Sequence, residues 1–499
     1  MKLFKFVIIL LSICSPRVLA DEPSAYNPIE ENGEYFVGWT TPNAAIIFTG
    51  DMNGYVEPCG CAGLDRMKGG LSRRHTFIKE RESQGWQMIP IDGGNLVQGY
   101  GLQEEHKFGF VTDEALRLMK YSAVGLGERE LMFPTDSLLL YTVDTPGNAK
   151  RFLSTNIGIY EFDPVYVAPY RTVSRGKVKV GITSVICKSL LGNVHNSEIV
   201  TGGAVEKLRE VLPVLDEEKC NYTVLILRGT AAEAEAIVKQ FPKRFTFVLM
   251  SDSPAEPPRE VRRFSDGTYR IEVGEKGKFA VVFGLYDDKA AEGESRDAKT
   301  ETVRYQRVAL DSRYKNSPEI IKAMEMYQDK LKSIGLEGLG IRPVADQLAK
   351  THGKYVGTKA CTDCHEASFN VWKKSRHALA WASLKEKSEP PREFDPECIT
   401  CHVVGWNPQT ILPYESGFLS EKETPHLTGV GCESCHGPGE LHAKAESGGD
   451  KELQKKLRQL LHVDTNKVQE QCLMCHDGDN SPDFDFKKYW EKIEHKESE

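Results

Sequence analysis

Four times between residues 361 and 476 the chain sets two cysteines three positions apart with a histidine directly behind. The copies are C-T-D-C-H (Cys361, Cys364, His365), C-I-T-C-H (Cys398, Cys401, His402), C-E-S-C-H (Cys432, Cys435, His436) and C-L-M-C-H (Cys472, Cys475, His476). With 13 cysteines and 13 histidines in 499 residues, chance supplies roughly 0.01 such matches. C-x-x-C-H is the attachment signature of c-type haem: two thiols add to the vinyl groups and the next histidine ligates the iron. Two intervening residues let one helical turn present both sulfurs to one porphyrin edge. Zinc is the main rival, because paired C-x-x-C can build a four-cysteine site, but zinc does not require a histidine behind every pair. A thioredoxin-like redox pair occurs once, in a βαβ setting, and fits poorly. The pattern predicts a module with four covalently bound c-type haems over residues 351–499.

The amino terminus supports this compartmentally. Lys2 and Lys5 precede an apolar run from Phe6 to Cys14, and Val18-Leu19-Ala20 offers a small-residue cleavage site. This reads as a secretory signal over residues 1–20, since the run is shorter than the ~20 residues of a spanning helix. No later segment is apolar enough to span a membrane. The expected location is the periplasm or an equivalent space, where attachment of c-type haem is completed. Formal net charge is −8, and residues 351–499 hold 19 Lys and Arg against 25 Asp and Glu. A nucleic-acid binder needs the opposite balance, so protein redox partners are the expected class.

Axial ligation decides whether such irons carry electrons or also bind small molecules. Beyond the four motif histidines, the module contains His352, His377, His426, His442, His462 and His495. Each has a bland reading as a surface histidine. Three have better settings. His377 lies in W-K-K-S-R-H-A-L-A-W, His442 follows the turn Gly437-Pro438-Gly439, and His495 closes Y-W-E-K-I-E-H. The flanking tryptophans and Tyr489 are equally readable as core.

Residues ~354–496 resemble the cytochrome c-554 type of tetrahaem domain, most specifically in G-V-G-C-E-S-C-H-G-P-G-E-L-H. That resemblance implies three bis-histidine haems, with His377, His442 and His495 as distal ligands, and an open iron on His402. It also implies electron delivery by a hydroxylamine oxidoreductase-like donor in nitrogen-oxidising metabolism.

The preceding three hundred residues are patterned differently. β-like runs (A-A-I-I-F, W-Q-M-I-P-I, V-K-V-G-I-T-S-V-I, T-V-L-I-L, F-T-F-V-L-M) alternate with amphipathic stretches, which predicts a layered α/β domain over residues 21–312. In such folds sites collect at the carboxyl ends of strands. The arrangement resembles the metallophosphoesterase domain of bacterial 5′-nucleotidases, and departs from it at the metal ligands. Asp51 remains. Asn53 stands where a histidine is expected, Asn95 where the bridging aspartate is, and Glu128-Arg129 where Asn-His is; Arg228 and Ser251-Asp252-Ser253 take the late histidine positions. A two-metal phosphohydrolase needs a clamp of N/O ligands on attacking and leaving oxygens, so a dimetal centre is not expected.

Cys59 and Cys61 follow Asp51 in E-P-C-G-C-A-G and suit a soft metal or a redox pair. In an exported protein Cys59, Cys61, Cys187 and Cys220 also suit two disulfides, with the pairing unassigned. K-G-G-L-S-R-R-H reads as an anion-binding turn or a basic surface. Residues 313–350 read as a helix followed by the linker G-L-E-G-L-G-I-R-P.

The fold expectation is therefore a layered, metallophosphoesterase-like α/β sandwich followed by a mostly α-helical multihaem cytochrome c domain. The functional expectation is an exported electron carrier whose first domain is a scaffold or docking module. Two alternatives remain open: a redox enzyme acting on hydroxylamine or nitric oxide at the His402 iron, and a metal-dependent phosphoester hydrolase.

Overall fold

The run Ala44–Thr49 is buried at every position, as expected of a strand covered on both faces. Its alternate residues serve two cores. Ala45 and Ile47 face one hydrophobic cluster, whereas Ala44, Ile46 and Phe48 face another. The computed structural model describes residues 26–58, 64–145, 150–286, 302–465 and 467–495. The anticipated signal segment and both Cys59 and Cys61 lie outside the described residues.

Two six-stranded sheets form among the described residues. In the first, Ala44–Thr49 runs parallel to Met88–Asp92 and antiparallel to Phe279–Leu285; Ala123–Gly125 and Phe152–Leu153 extend one side, and Val303–Ala309 the other. The second centres on the parallel strands Val178–Ile186, Tyr222–Arg228, Phe247–Met250 and Tyr269–Glu272. Ile46, Phe48, Ile89 and Val281 of one sheet meet Val180, Ile182, Ile226 and Phe247 of the other in a continuous apolar layer. Helices Leu71–Ser83 and Pro318–Gly338 cover the first sheet through Leu71, Phe77, Ile320, Met324 and Leu331. Helices Ala204–Glu217 and Ala231–Gln240 cover the second through Leu208, Leu212, Ile237 and Val238. The result is the expected layered α/β sandwich, ordered helix, sheet, sheet, helix.

Pro318–Gly338 behaves as part of this domain. Its start is set by Ser317 and by Pro at the first helical position, where the missing N–H costs nothing. Gly335 breaks its helical path at φ 62, a conformation that glycine adopts without a Cβ penalty. The expected linker beyond it is packed. Leu336 and Ile341 rest against the core of the following region, and Val344 N donates to Pro413 O at 2.9 Å.

That second core is small, built of Trp381, Leu384, Ile399, Val403, Trp406 and Phe418 among others. Around it lie short helices, including Glu366–Trp372, Ala380–Glu386, Pro396–His402, Glu440–Glu446, Lys451–Leu461, Val468–Leu473 and Phe486–Trp490. Most are below the ~12 residues at which an isolated helix becomes even marginal, so packing must hold them. No helix among the described residues is long and apolar enough to cross a membrane.

Three local expectations need correction. Cys187 and Cys220 are free thiols, not disulfide partners. Cys187 follows the strand Val178–Ile186 while Cys220 precedes its parallel neighbour Tyr222–Arg228, and six residues of register separate the two ends. At ~3.3 Å per residue that is far beyond disulfide reach. The basic cluster of K-G-G-L-S-R-R-H is neither an anion turn nor a surface: Arg73, Arg74 and His75 are all buried. Arg73 Nη2 donates to Leu64 O at 2.9 Å, Arg74 Nη1 to Tyr121 OH at 3.2 Å, and His75 Nδ1 bonds Ser317 Oγ at 2.6 Å. The last helix ends at Trp490, so His495 lies beyond it rather than within it.

Candidate haem centres and the site at the strand ends

Each cysteine pair is wound on a tight turn that gathers its histidine. His365 N donates to Cys361 O at 3.0 Å, His436 N to Cys432 O at 3.1 Å and His476 N to Cys472 O at 2.9 Å. The second motif is carried inside the helix Pro396–His402, started by Pro396 and capped by the Asp395 carboxylate, which accepts from Glu397 N at 3.1 Å. Gly437 ends the third motif at φ 79, so the chain turns away directly after His436.

The three favoured extra histidines each meet a motif histidine. His442 faces His365 with ring centroids 6.2 Å apart, His377 faces His476 at 6.1 Å, and His495 faces His436 at 5.9 Å. Two imidazoles ligating one metal ion from opposite sides, with metal–nitrogen bonds of about 2.0 Å, place their centroids roughly 6 Å apart. His442 thus faces the histidine of a different motif, that of Cys361, Cys364 and His365.

The imidazoles are also prepared as ligands. Backbone carbonyls take the Nδ1–H of His436 (Leu461 O, 2.7 Å), His402 (Ala380 O, 2.6 Å) and His495 (Ile493 O, 3.1 Å), while His476 Nδ1 pairs with Ser481 Oγ at 3.0 Å. Such bonds fix the orientation of each ring. Burial pushes His377 down to about 4, and it also lowers His402, His436, His442 and His476. The neutral ring is the ligating form.

The residues fit covalent haem. The motif sulfurs are not disulfide-bonded. Cys361 hydrogen-bonds Cys432, and Cys475 hydrogen-bonds Cys401, so the first and third motifs touch, as do the second and fourth. Apolar side chains beside the motifs stand in solvent, among them Leu379 at 54% and Leu473 at 43% exposure. An apolar macrocycle would cover that surface. His352, by contrast, is a buried structural residue held by Thr351 Oγ1 at 2.7 Å and Leu460 O at 3.4 Å. His426 and His462 lie at the surface. Trp381 packs on Phe418 in the small core at 4.9 Å, the bland reading of that aromatic.

The strand ends of the first domain hold a second constellation. Arg228, closing Tyr222–Arg228, is 2% exposed and donates to Asp51 Oδ1 at 2.8 Å, Glu128 Oε2 at 2.8 Å and Gly93 O at 3.1 Å. Asn95 Nδ2 donates to Glu128 Oε1 at 2.7 Å, and Arg129 N to Asn95 Oδ1 at 3.2 Å. Burial alone would push Arg228 down, but Asp51 and Glu128 outweigh it and hold it raised. Burial likewise acts to raise Glu128, and Arg228 outweighs it. Asp51, Asn53 and Asn95 take positive φ of 46, 52 and 54, the kind of strained loop that persists at functional sites.

Asp51, Asn95, Glu128 and Arg228 come together at the strand ends, and a guanidinium between two carboxylates does not fit a dimetal centre. The guanidinium itself supplies the positive charge between the two carboxylates. No group of three or more His, Cys, Asp or Glu suited to a metal ion occurs among the described residues. Ser251, Asp252 and Ser253 instead brace turns, accepting from Gly229 N, Ala231 N and Val273 N at 3.0, 3.0 and 3.1 Å.

Two contributors were not singled out from the sequence. Glu130 is buried and accepts from Asn95 N, Leu96 N and Gly127 N at 3.0, 2.6 and 2.8 Å. Lys107 lies at the boundary with the helical region, bonded to Glu397. Lys107 lies in no recognisable motif, whereas Glu130 takes the place of the glutamate of Gly-Asn-His-Glu in G-L-G-E-R-E.

The two regions are similar to different sets of known proteins. The first domain is similar to a 5′-nucleotidase precursor from Thermus thermophilus, at 14% identity and TM-score 0.46 over 58% of this chain and 59% of that one. It is also similar to the sulfate thiohydrolase SoxB of the same organism, at 12% identity and TM-score 0.47 over 62% and 63%. The helical region is 34% identical over 140 residues to cytochrome c-554 of Nitrosomonas europaea; the match takes 24% of this chain and spans 57% of that cytochrome. Residues 360–437 match the family described as cytochrome c554 and c-prime, and with that match comes covalently bound c-type haem.

Proposed function

We propose that this protein is an exported tetrahaem electron carrier whose first domain is a metal-free, phosphatase-like scaffold. The observation that carries the reading is the set of three imidazole pairs at 5.9–6.2 Å, each joining a C-x-x-C-H histidine to a histidine distant in sequence. Covalent haem supplies a one-electron couple. The eight motif cysteines would fix it, with His365, His402, His436 and His476 on one side of each iron and His442, His495 and His377 opposite His365, His436 and His476. Paired imidazole ligands would suit electron transfer more than chemistry.

The chain's own contribution is spacing and seclusion. Touching sulfurs of the first and third motifs, and of the second and fourth, bring attachment edges close enough for relay within each pair. Secretion through a signal cleaved after Ala20 places this relay outside the cytoplasm. Its partners are then redox proteins, with a hydroxylamine oxidoreductase-like donor carried over from the cytochrome c-554 resemblance. That resemblance also supports a second reading, in which a small nitrogen species binds at the iron on His402. Phosphoester hydrolysis is disfavoured by Arg228, which already neutralises Asp51 and Glu128.

Mass spectrometry and pyridine haemochrome quantitation of the secreted protein should give four haems per chain, and electron paramagnetic resonance should show three bis-histidine low-spin centres. Fewer haems, or a colourless product, would refute the reading. Nitric oxide or cyanide titration decides between carrier and enzyme at His402: spectral change at one haem supports the second reading, and inert spectra reject it. Stoichiometric manganese or zinc together with phosphoester turnover would overturn the scaffold assignment.

A further inference from the structure

The two domains meet through a buried ion cluster placed directly against the helix of the second haem motif. Lys107 is 2% exposed, and its Nζ donates to Glu397 Oε1 at 2.7 Å and reaches Glu104 Oε2 at 2.8 Å. Burial alone would push Lys107 down, and Glu397 with Glu104 outweighs it, so the ammonium stays charged. Glu397 immediately precedes Cys398 on Pro396–His402. Beside it, Asp395 is 4% exposed, caps that helix, and accepts from Gln103 Nε2 at 2.9 Å and Gln328 Nε2 at 3.1 Å, both from the first domain. The cluster also reaches the strand-end site. Glu104 Oε1 accepts from Gln98 N at 2.8 Å, and Gln98 O accepts from Arg129 Nη1 at 2.6 Å.

From this we infer that Lys107, Glu104 and Glu397 form a positioning device through which the first domain holds the His402 helix and sets the reduction potential of its haem. The inference rests on the haem reading above. A buried cation alone is costly, and a single carboxylate would suffice to neutralise it. Two carboxylates, one from each domain, instead make the charge shared across the boundary. Removing a negative charge near an iron favours the reduced state, and removing a positive charge favours the oxidised one, because reduction lowers the positive charge on the centre. Glu397 lies five residues before His402, about 7.5 Å along the helix. At such range a unit charge acting through partly polar protein changes the reduced-to-oxidised ratio by roughly threefold to tenfold.

The test is a potentiometric titration of the intact holoprotein, followed haem by haem by magnetic resonance. Glu397→Gln should raise one of the four potentials, by up to about 59 mV for a tenfold change in a one-electron couple, and leave the others nearly in place. Lys107→Met should lower the same couple, and Lys107→Arg should restore it. A purely structural role would not give opposite signs at one haem. If Glu397→Gln moves no couple, or moves all four alike, the inference is wrong while the tetrahaem reading stands. If haem quantitation finds fewer than four haems, it is that underlying reading that has failed. Should Lys107→Met not fold, Glu397→Gln and Lys107→Arg decide alone, since Glu397 is 34% exposed and tolerates an isosteric change.

Discussion

At the residue scale, the same side chain type plays opposite parts according to what faces it. His442 faces another imidazole, whereas His352 is held by a hydroxyl and a carbonyl. His442→Ala should convert one low-spin haem to high spin by absorption and magnetic resonance. His352→Ala should leave every spectrum unchanged and cost stability only, about 1 kcal/mol for the lost buried hydrogen bonds. Arg228 is a second case. Arg228→Met leaves Asp51 and Glu128 as uncompensated buried charges, and urea unfolding should show a loss of about 3–5 kcal/mol. Glu130 carries a pH signature, because burial pushes it up from 4.5 to about 7. Below 4.5 folded and unfolded chains are both protonated there. Between 4.5 and about 7 the unfolded chain releases its proton and the folded one retains it, so stability falls as pH rises through that window. Thermal melts at steps across it should show this decline flattened in Glu130→Gln.

At the scale of elements, the helical region depends on caps and turns more than on helix length. Lys451–Leu461 begins at Asp450, whose carboxylate accepts from Glu452 N at 3.1 Å and Leu453 N at 3.0 Å, and its last carbonyl, Leu461 O, takes the Nδ1–H of His436. Asp450→Ala should cost about 1 kcal/mol, and hydrogen exchange should show the loss along this helix and at His436 rather than in the first domain. The apolar runs of the first domain were readable as strands because burial on both faces demands continuous apolar residues. The short helices were less readable. His495 falls outside its predicted helix because that helix, capped by Asp485, runs only through the five residues F-K-K-Y-W. K-G-G-L-S-R-R-H looked basic and exposed; its side chains are buried because backbone carbonyls satisfy Arg73, Tyr121 and Asp92 satisfy Arg74, and Ser317 satisfies His75, and those partners are remote or local in ways no motif encodes.

At the scale of the whole molecule, the first domain grips the ends of the helical region that carry the second and fourth motifs. Beyond Lys107, Asp479 receives Lys276 and Lys278, the latter at 2.8 Å; Arg392 pairs with Glu57, and Arg66 with Asp483 at 3.3 Å. These groups are partly exposed, so each is worth little alone. A double-mutant cycle of Asp479→Asn with Lys278→Gln should give a coupling below about 1 kcal/mol that fades in molar salt. These contacts hold the segments that carry the second and fourth motifs against the scaffold.

What the chain's letters settled by themselves was covalent chemistry and local period. Two thiols and an imidazole at fixed spacing bind within a single turn, and a short continuous apolar run bounded by polar turns marks a strand buried on both faces. The substituted residues at the strand ends were legible for the same reason: each occupies a definite place after a definite strand. Folding alone decided which imidazole faces which, that a guanidinium seats itself between Asp51 and Glu128, and that Lys107 meets Glu397 across 290 positions. Such pairings depend on distances between segments far apart in the chain, and a one-dimensional pattern carries no term for them.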